Sequence, residues 1–222
     1  MSAVTSLTVQ SHAGVVWIEP VSARVLRETL ELLRAELSLG GVKIGMLGTG
    51  ELVGVVAEFL RGAGIGRQRV VLDPVIRASS GAELLDQAGV RRLVEELLPL
   101  AGWVTPNVDE AGALLGRGPA GREEVPEVAR RIQELGDSPS GRDLNVVITG
   151  GHLDPPDDFL LTATGEEMWI PGTRAEVRSR HGAHGTGCVF ASALLCRLLT
   201  GEAAADAVRE AKAAVVRRLG TP

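Results

Sequence analysis

Residues 184 to 201, His-Gly-Thr-Gly-Cys-Val-Phe-Ala-Ser-Ala-Leu-Leu-Cys-Arg-Leu-Leu-Thr-Gly, run a glycine-rich turn straight into an apolar, helix-forming segment. Gly185 and Gly187 let the backbone approach a ligand closely, and the first helical turn leaves several N–H groups without intrahelical partners, all aimed one way. Such donors suit a phosphate or a developing oxyanion. Cys188 falls on that first turn, where the positive end of the helix dipole is expected to lower a thiol's pKa. Three other places carry groups able to do chemistry. Asp73 closes the apolar run Val70-Val71-Leu72, and open α/β sheets place ligand chemistry at such strand ends; a solvated strand-end carboxylate is the plainer reading. Asn107 and Glu110 stand three apart after Trp103-Val104-Thr105-Pro106, a spacing that makes a helix-capping box and by itself accounts for both. Gly150-Gly151 ends another apolar run and leaves room for backbone contact with a nucleotide.

The elements that must position these groups follow from periodicity. Residues 2–10 alternate like a strand, and 15–18 continue a sheet edge after the His12-Ala13-Gly14 turn. Ser22 caps a helix carrying Val25, Leu26, Leu30, Leu33 and Leu37 up to Gly40-Gly41. Residues 42–47 form a buried strand that offers Met46 to a cleft, and Thr49 caps a helix with Leu52, Val53, Val56, Phe59 and Leu60 inward. The strand 70–75 is followed by a loop at 77–81 and a helix holding Val90, Leu93, Val94, Leu97 and Leu98. Beyond the capping box come loops at 116–126 and 136–143 around a helix at 124–135, a strand at 144–149, a hairpin at 159–170 and helices at the 188–200 stretch and 203–219. Strand and helix alternate, so the expected fold class is α/β, one domain with a mostly parallel central sheet and helices on both faces.

The chain has 222 residues, 45% of them hydrophobic, with three Phe, three Trp and no Tyr, which makes the core aliphatic. A net charge of −5 without basic runs excludes the stripe that nucleic acid or an anionic membrane would need. The two cysteines, Cys188 and Cys196, are roughly 12 Å apart along one helix axis and cannot bridge. With no signal peptide or spanning segment, two free thiols point to the cytoplasm, and Cys196 reads as a core residue.

Four stretches coincide with one pattern: 42–47, Asp73-Pro74-Val75 through Ser80-Gly81, Thr105-Pro106-Asn107 with Glu110-Ala111, and His184-Gly185-Thr186-Gly187-Cys188. Together they resemble the hydroxymethylpyrimidine and phosphomethylpyrimidine kinases of thiamine biosynthesis, of the ribokinase-like superfamily, over essentially the whole chain. The resemblance implies a three-layer sandwich in which Gly185, Thr186, Gly187 and Cys188 form the anion hole and Cys188 stands where relatives place the catalytic base. It implies that Asn107 and Glu110 hold Mg²⁺ beside the phosphates of ATP, with Asp73 in the same acidic group. Gln10, Met46 and Val75 match residues around the pyrimidine ring, and Thr149 and Gly151 fall in the nucleotide loop. A homodimer is the family analogy.

Three departures accompany it. Thr149 replaces a lysine frequent in relatives, its hydroxyl still able to bond a phosphate oxygen, and Ala183 replaces a usual threonine. His181 and His184 read as loop residues that fix the turn. In relatives, residues matching 2–10 are preceded by an opening strand, a Gly-Ser-Asp turn and a glycine-rich loop, so a misplaced start codon is expected and the sheet lacks its N-terminal strand. Two alternatives accompany the kinase of this pyrimidine: a pyridoxal or pyridoxine kinase, and a truncated relative that binds ligand without catalysis.

Overall fold

The computed structural model describes residues 1–220 except 12–13, 79, 137–142, 152 and 174–184. The first two strands, β1 (Ser6–Ser11) and β2 (Gly14–Pro20), form a two-stranded antiparallel hairpin of their own. The expectation that they extend a larger sheet is therefore corrected: β1 pairs only with β2, with an irregularity between Val9 and Gln10. The hairpin lies across the rest of the fold. Thr5 Oγ1 donates to the Met46 carbonyl at 2.5 Å, and at the tip a methyl placed on Gly14 would meet Ser80 Cβ at 2.8 Å.

The main sheet has six strands in the order β3 (Val42–Ile44), β4 (Val70–Leu72), β5 (Trp103–Val104), β6 (Asn145–Ile148), β7 (Asp158–Leu161) and β8 (Glu167–Ile170). The first four are parallel, and β6–β7 and β7–β8 are antiparallel. The parallel strands are shorter than the apolar runs. In β4 the ladder stops because Pro74 has no N–H to donate, and Val75 instead donates back to the Asp73 carbonyl at 2.9 Å.

Strand alternation divides the core in two. Val71, Trp103, Val147, Leu160 and Ile170 face α6 (Thr186–Leu199) and α7 (Ala204–Gly220), which bury Phe190, Ala191, Leu194, Ala207, Val208 and Ala211 against them. Val70, Leu72, Val104, Val146, Ile148 and Phe159 face the other way. Against them pack α2 (Gly50–Gly62), α3 (Gln87–Arg92), α4 (Val108–Leu115) and α5 (Val125–Leu135), with α1 (Ala23–Glu36) resting outside α2. The layers are helix, sheet, helix, as the alternation of elements requires.

The caps explain where the helices start. Ser22, Thr49, Asp86 and Asn107 each accept a backbone N–H in the first turn of α1 to α4. Two expectations need correction. Val25 is 51% exposed, on the outer side of α1, where only Leu26 is buried. The helix expected to run through Leu98 is α only to Arg92 and continues as a π turn over Leu93–Leu97 and a 3₁₀ turn over Leu98–Leu100, because Pro99 cannot carry the ladder on.

Candidate active site

The same alternation that builds the core lays out the site. Asp73, Thr105 and Thr149 each follow by two a residue that faces α6 (Val71, Trp103 and Val147), so they form the next row on that face, at the carboxyl ends of the parallel strands. The row is held in register by Asp73 N–H to Ile44 O at 2.9 Å, Thr105 N–H to Leu72 O at 3.0 Å and Thr149 N–H to Pro106 O at 2.9 Å. The N-terminus of α6 lies over it. A methyl on Gly187 would stand 3.7 Å from Asp73 Oδ1, in ordinary contact with the carboxylate.

Gly185 starts α6 at φ +76°, a left-handed turn that favours glycine, and offers no side chain to cap the helix. With no side-chain cap from Gly185, the N–H groups of Gly187 and Cys188 are the donors such a turn can offer an anion. Cys188, one turn in, is exposed. Asp73 and Lys43 both lie close enough to act on its thiol. Partial desolvation and the Asp73 charge push the thiol above its ordinary range, with Lys43 pulling the other way. Against the lowering expected from the helix dipole, the net direction is upward, set by desolvation first and by the neighbouring Asp73 carboxylate second.

Asp73 is 3% exposed, and Lys43 Nζ stands 2.9 Å from its Oδ2. That contact is an ion pair rather than an aligned hydrogen bond, and Oδ2 has no hydrogen-bond partner. Burial opposes the Lys43 charge, but Asp73 and Cys188 more than offset it and hold the ammonium above its usual range. Thr105 Oγ1, in the same row, is buried and also without a partner.

Asn107 and Glu110 complete the capping box of α4: Glu110 N–H to Asn107 Oδ1 and Asn107 N–H to Glu110 Oε2, both 2.9 Å. Asn107 bridges to Thr149, which sets the turn after β6 beside the cap. Burial pushes the Glu110 carboxyl up to about 8, and Asp73's charge adds to the shift. In metal-free protein the folded state therefore holds a proton that the unfolded state releases above the ordinary glutamate value of 4.5. Stability attributable to this group falls as pH rises from about 4.5 to about 8 and is level beyond. Glu110→Gln keeps an acceptor for Asn107 N–H and removes the penalty, so in EDTA its Tm should exceed wild type by a margin that grows across that window. A constant margin would show that the carboxyl titrates normally.

The structure thus brings Gly185, Thr186, Gly187, Cys188 and Asp73 together, and couples Asp73 electrostatically to Glu110. Met46 and Val75 are half-buried beyond the carboxyl ends of β3 and β4. Gln10 is exposed on the hairpin that crosses them, near its tip. Gly151 has open space where a side chain would be. His12, His152, His181, Ala183 and His184 lie outside the described residues. Cys196 is exposed, not in the core: it falls on the outer side of α6, opposite Leu194 and Leu195. Lys43 was missed among the candidates. Its signal was available, for it interrupts an apolar strand and is one of only two lysines in the chain.

Comparison with known proteins agrees with this geometry. The family model described as Phosphomethylpyrimidine kinase matches residues 1–221. The hydroxymethylpyrimidine/phosphomethylpyrimidine kinase of Haemophilus influenzae is 34% identical, over 100% of this chain and 80% of its own length. A crystal structure of phosphomethylpyrimidine kinase from Clostridium difficile superimposes with TM-score 0.80 at 26% identity, covering 98% of this chain and 85% of that one. Pyridoxal kinase from Staphylococcus aureus in complex with AMP-PCP gives 0.81 at 27% identity, covering 98% and 76%. These likenesses carry the ribokinase-like fold, and with an anion-ready helix end set over a buried carboxylate, this chain belongs to the phosphomethylpyrimidine kinase family.

Proposed function

We propose that the chain, as one catalytic domain, transfers the γ-phosphoryl of ATP to 4-amino-5-hydroxymethyl-2-methylpyrimidine and to its monophosphate, making the pyrophosphate used in thiamine biosynthesis. The observation that carries this reading is the seating of the Gly185–Cys188 turn against Asp73, with the capped Glu110 within electrostatic reach. Relatives named as kinases of this pyrimidine and for thiamine biosynthesis, and a neighbour holding AMP-PCP, support it.

Phosphoryl transfer asks mainly for in-line positioning and for charge opposite the moving group. The N–H groups of Gly187 and Cys188 supply donors aimed at that charge, each worth about 3 to 4 kcal/mol in a dry site. Cys188 relays the hydroxyl proton of the substrate late in the transfer, its sulfur taking that proton as its own thiol proton passes to the neighbouring Asp73 carboxylate. Thr149 and the open backbone at Gly151 hold the nucleotide phosphates, and Gln10, Met46 and Val75 enclose the ring.

The donor set fits Mg²⁺. Glu110 and Asp73 offer carboxylate oxygens, one of them buried without a hydrogen bond. Mg²⁺ usually keeps several waters and takes one or two carboxylates, so these two side chains suffice for it. Glu110, beside Asn107, would hold it with Asp73 nearby. When bound it neutralises phosphate charge.

Purified protein should turn over ATP in the presence of the hydroxymethylpyrimidine or its monophosphate, and absence of both activities would end this reading. Pyridoxal is the second substrate to try, given the pyridoxal kinase likeness, and the ratio of kcat/KM values decides between them. The two free thiols support a cytoplasmic enzyme, and no described helix is long and apolar enough to cross a membrane. A homodimer is supported by the hairpin, whose face carries Leu7, Val9 and Trp17, each at least 60% exposed, with Leu7 and Val9 on one side of β1 and Trp17 opposite Val9. Sedimentation should show a dimer that Trp17→Glu converts to monomer; a wild-type monomer at micromolar concentration would refute it.

A further inference from the structure

Lys43 has no role in the reading above, yet it occupies the centre of the site. Its side chain is 18% exposed, it stands 2.9 Å from Asp73 Oδ2, and Cys188 is near enough to feel its charge. It reaches this position because Val42 and Ile44 face the opposite core, so alternation turns Lys43 toward α6. Stability alone is a poor reason to keep a buried ion pair there, since well-packed apolar residues serve as well or better.

Its type is also informative. The chain uses Arg for every cation except Lys43 and Lys212. An ammonium is a compact point charge with three donors, able to meet a carboxylate and a sulfur from one position, whereas a guanidinium is a wide planar fork. The arrangement has an electrostatic purpose as well. Without Lys43, Asp73 would present a bare buried carboxylate directly under Gly187, where the proposed phosphoryl group arrives with its own negative charge.

We infer that Lys43 is a positioning residue of phosphoryl transfer: its ammonium cancels the buried charge of Asp73 beneath the α6 turn and holds that carboxylate in place below Gly187 and Cys188. The inference rests on the kinase reading above. It acts on the chemical step, because the groups it holds lie at the α6 turn and not at the Thr149–Gly151 loop assigned to the nucleotide.

The test compares wild type with Lys43→Met and Lys43→Arg for kcat, for KM of ATP and of the pyrimidine, and for calorimetric Kd of Mg·ATP. Lys43→Met should lose on the order of a hundredfold in kcat, with both KM values and the Kd within about threefold of wild type. Lys43→Arg keeps the charge and should fold even if Lys43→Met does not, but its head cannot take the ammonium's place, so kcat should fall at least about tenfold. The inference is overturned if either variant folds with kcat near wild type, or if the loss appears in KM and Kd instead. A wild-type protein without pyrimidine-dependent turnover is a separate outcome: there the kinase reading fails, and the inference falls with it.

Discussion

Cys188→Ala should lower kcat on the order of a hundredfold while leaving Kd for Mg·ATP within about threefold of wild type. The thiol is exposed at the first turn of α6, in contact with Asp73 and Lys43, and the α6 N–H groups that would receive phosphate belong to the backbone, which alanine preserves. Nucleotide affinity should therefore survive the substitution. Because partial desolvation and the Asp73 charge keep the thiol above its ordinary range, the group enters the reaction protonated and acts as a relay, passing its proton to Asp73 as it takes the one from the substrate oxygen. Cys188→Ser keeps a proton-bearing group of similar size and should recover part of the lost turnover. Steady-state kinetics beside calorimetry decide the matter. Equal losses in kcat and binding would assign Cys188 to the architecture of the turn and not to the chemistry.

The second large effect concerns two adjacent glycines that the fold treats in opposite ways. A methyl on Gly150 would lie 1.7 Å from the Asp157 carbonyl oxygen, a backbone atom that cannot swing aside. That carbonyl is pinned in turn. Asp158 Oδ1 accepts the Gly150 N–H at 2.9 Å and faces Lys212 Nζ at 2.8 Å, Lys212 also donates to the Pro156 carbonyl, and Asp157 Oδ1 accepts from Gly172 N–H. Gly150→Ala should cost about 3 kcal/mol, seen as a fall in Tm of roughly 6–12 °C. Gly151 has nothing within 4 Å of the same methyl and its φ is not positive. Gly151→Ala should leave Tm within about 2 °C of wild type and raise KM for ATP, because the methyl fills space assigned to the nucleotide. If Gly150→Ala melts like wild type, the loop is not held as described. If Gly151→Ala leaves KM unchanged, the phosphates lie elsewhere.

How much of this could be read beforehand depended on whether the signal was local. Capping residues act within one helical turn, so Ser22, Thr49 and the Asn107–Glu110 box marked helix starts that the structure keeps. The apolar runs 70–72 and 145–148 each read as strands, and the alternation of elements implied helices on both faces. What local patterns could not supply was pairing. Residues 6–20 have the composition of a sheet edge, but whether they join the main sheet or fold on themselves depends on contacts with Met46 and Ser80, far away in sequence. The site divides along the same line. Asp73 and the Gly185–Cys188 turn announced themselves by position at a strand end and a helix start. Lys43 stood out in the sequence as a lone lysine in an apolar strand, but its partners appear only once β3 lies beside β4 and α6 closes over both, and the direction of the Cys188 shift follows from that neighbourhood.

The paired lysines have a practical consequence. Every lysine of this chain is engaged in a sheltered ion pair, Lys43 with Asp73 and Lys212 with Asp158, while the outer surface carries its positive charge on arginine. Reagents that acylate amines should thus modify the native protein slowly at both positions, and an endoprotease specific for lysine should find no accessible cleavage point. The acylation rate at each lysine, followed by mass spectrometry, becomes a clock for the opening of one ion pair. Lys212 would report on the Gly150 loop and Lys43 on the floor beneath α6, so a bound nucleotide that stiffens only one region would slow one clock and spare the other.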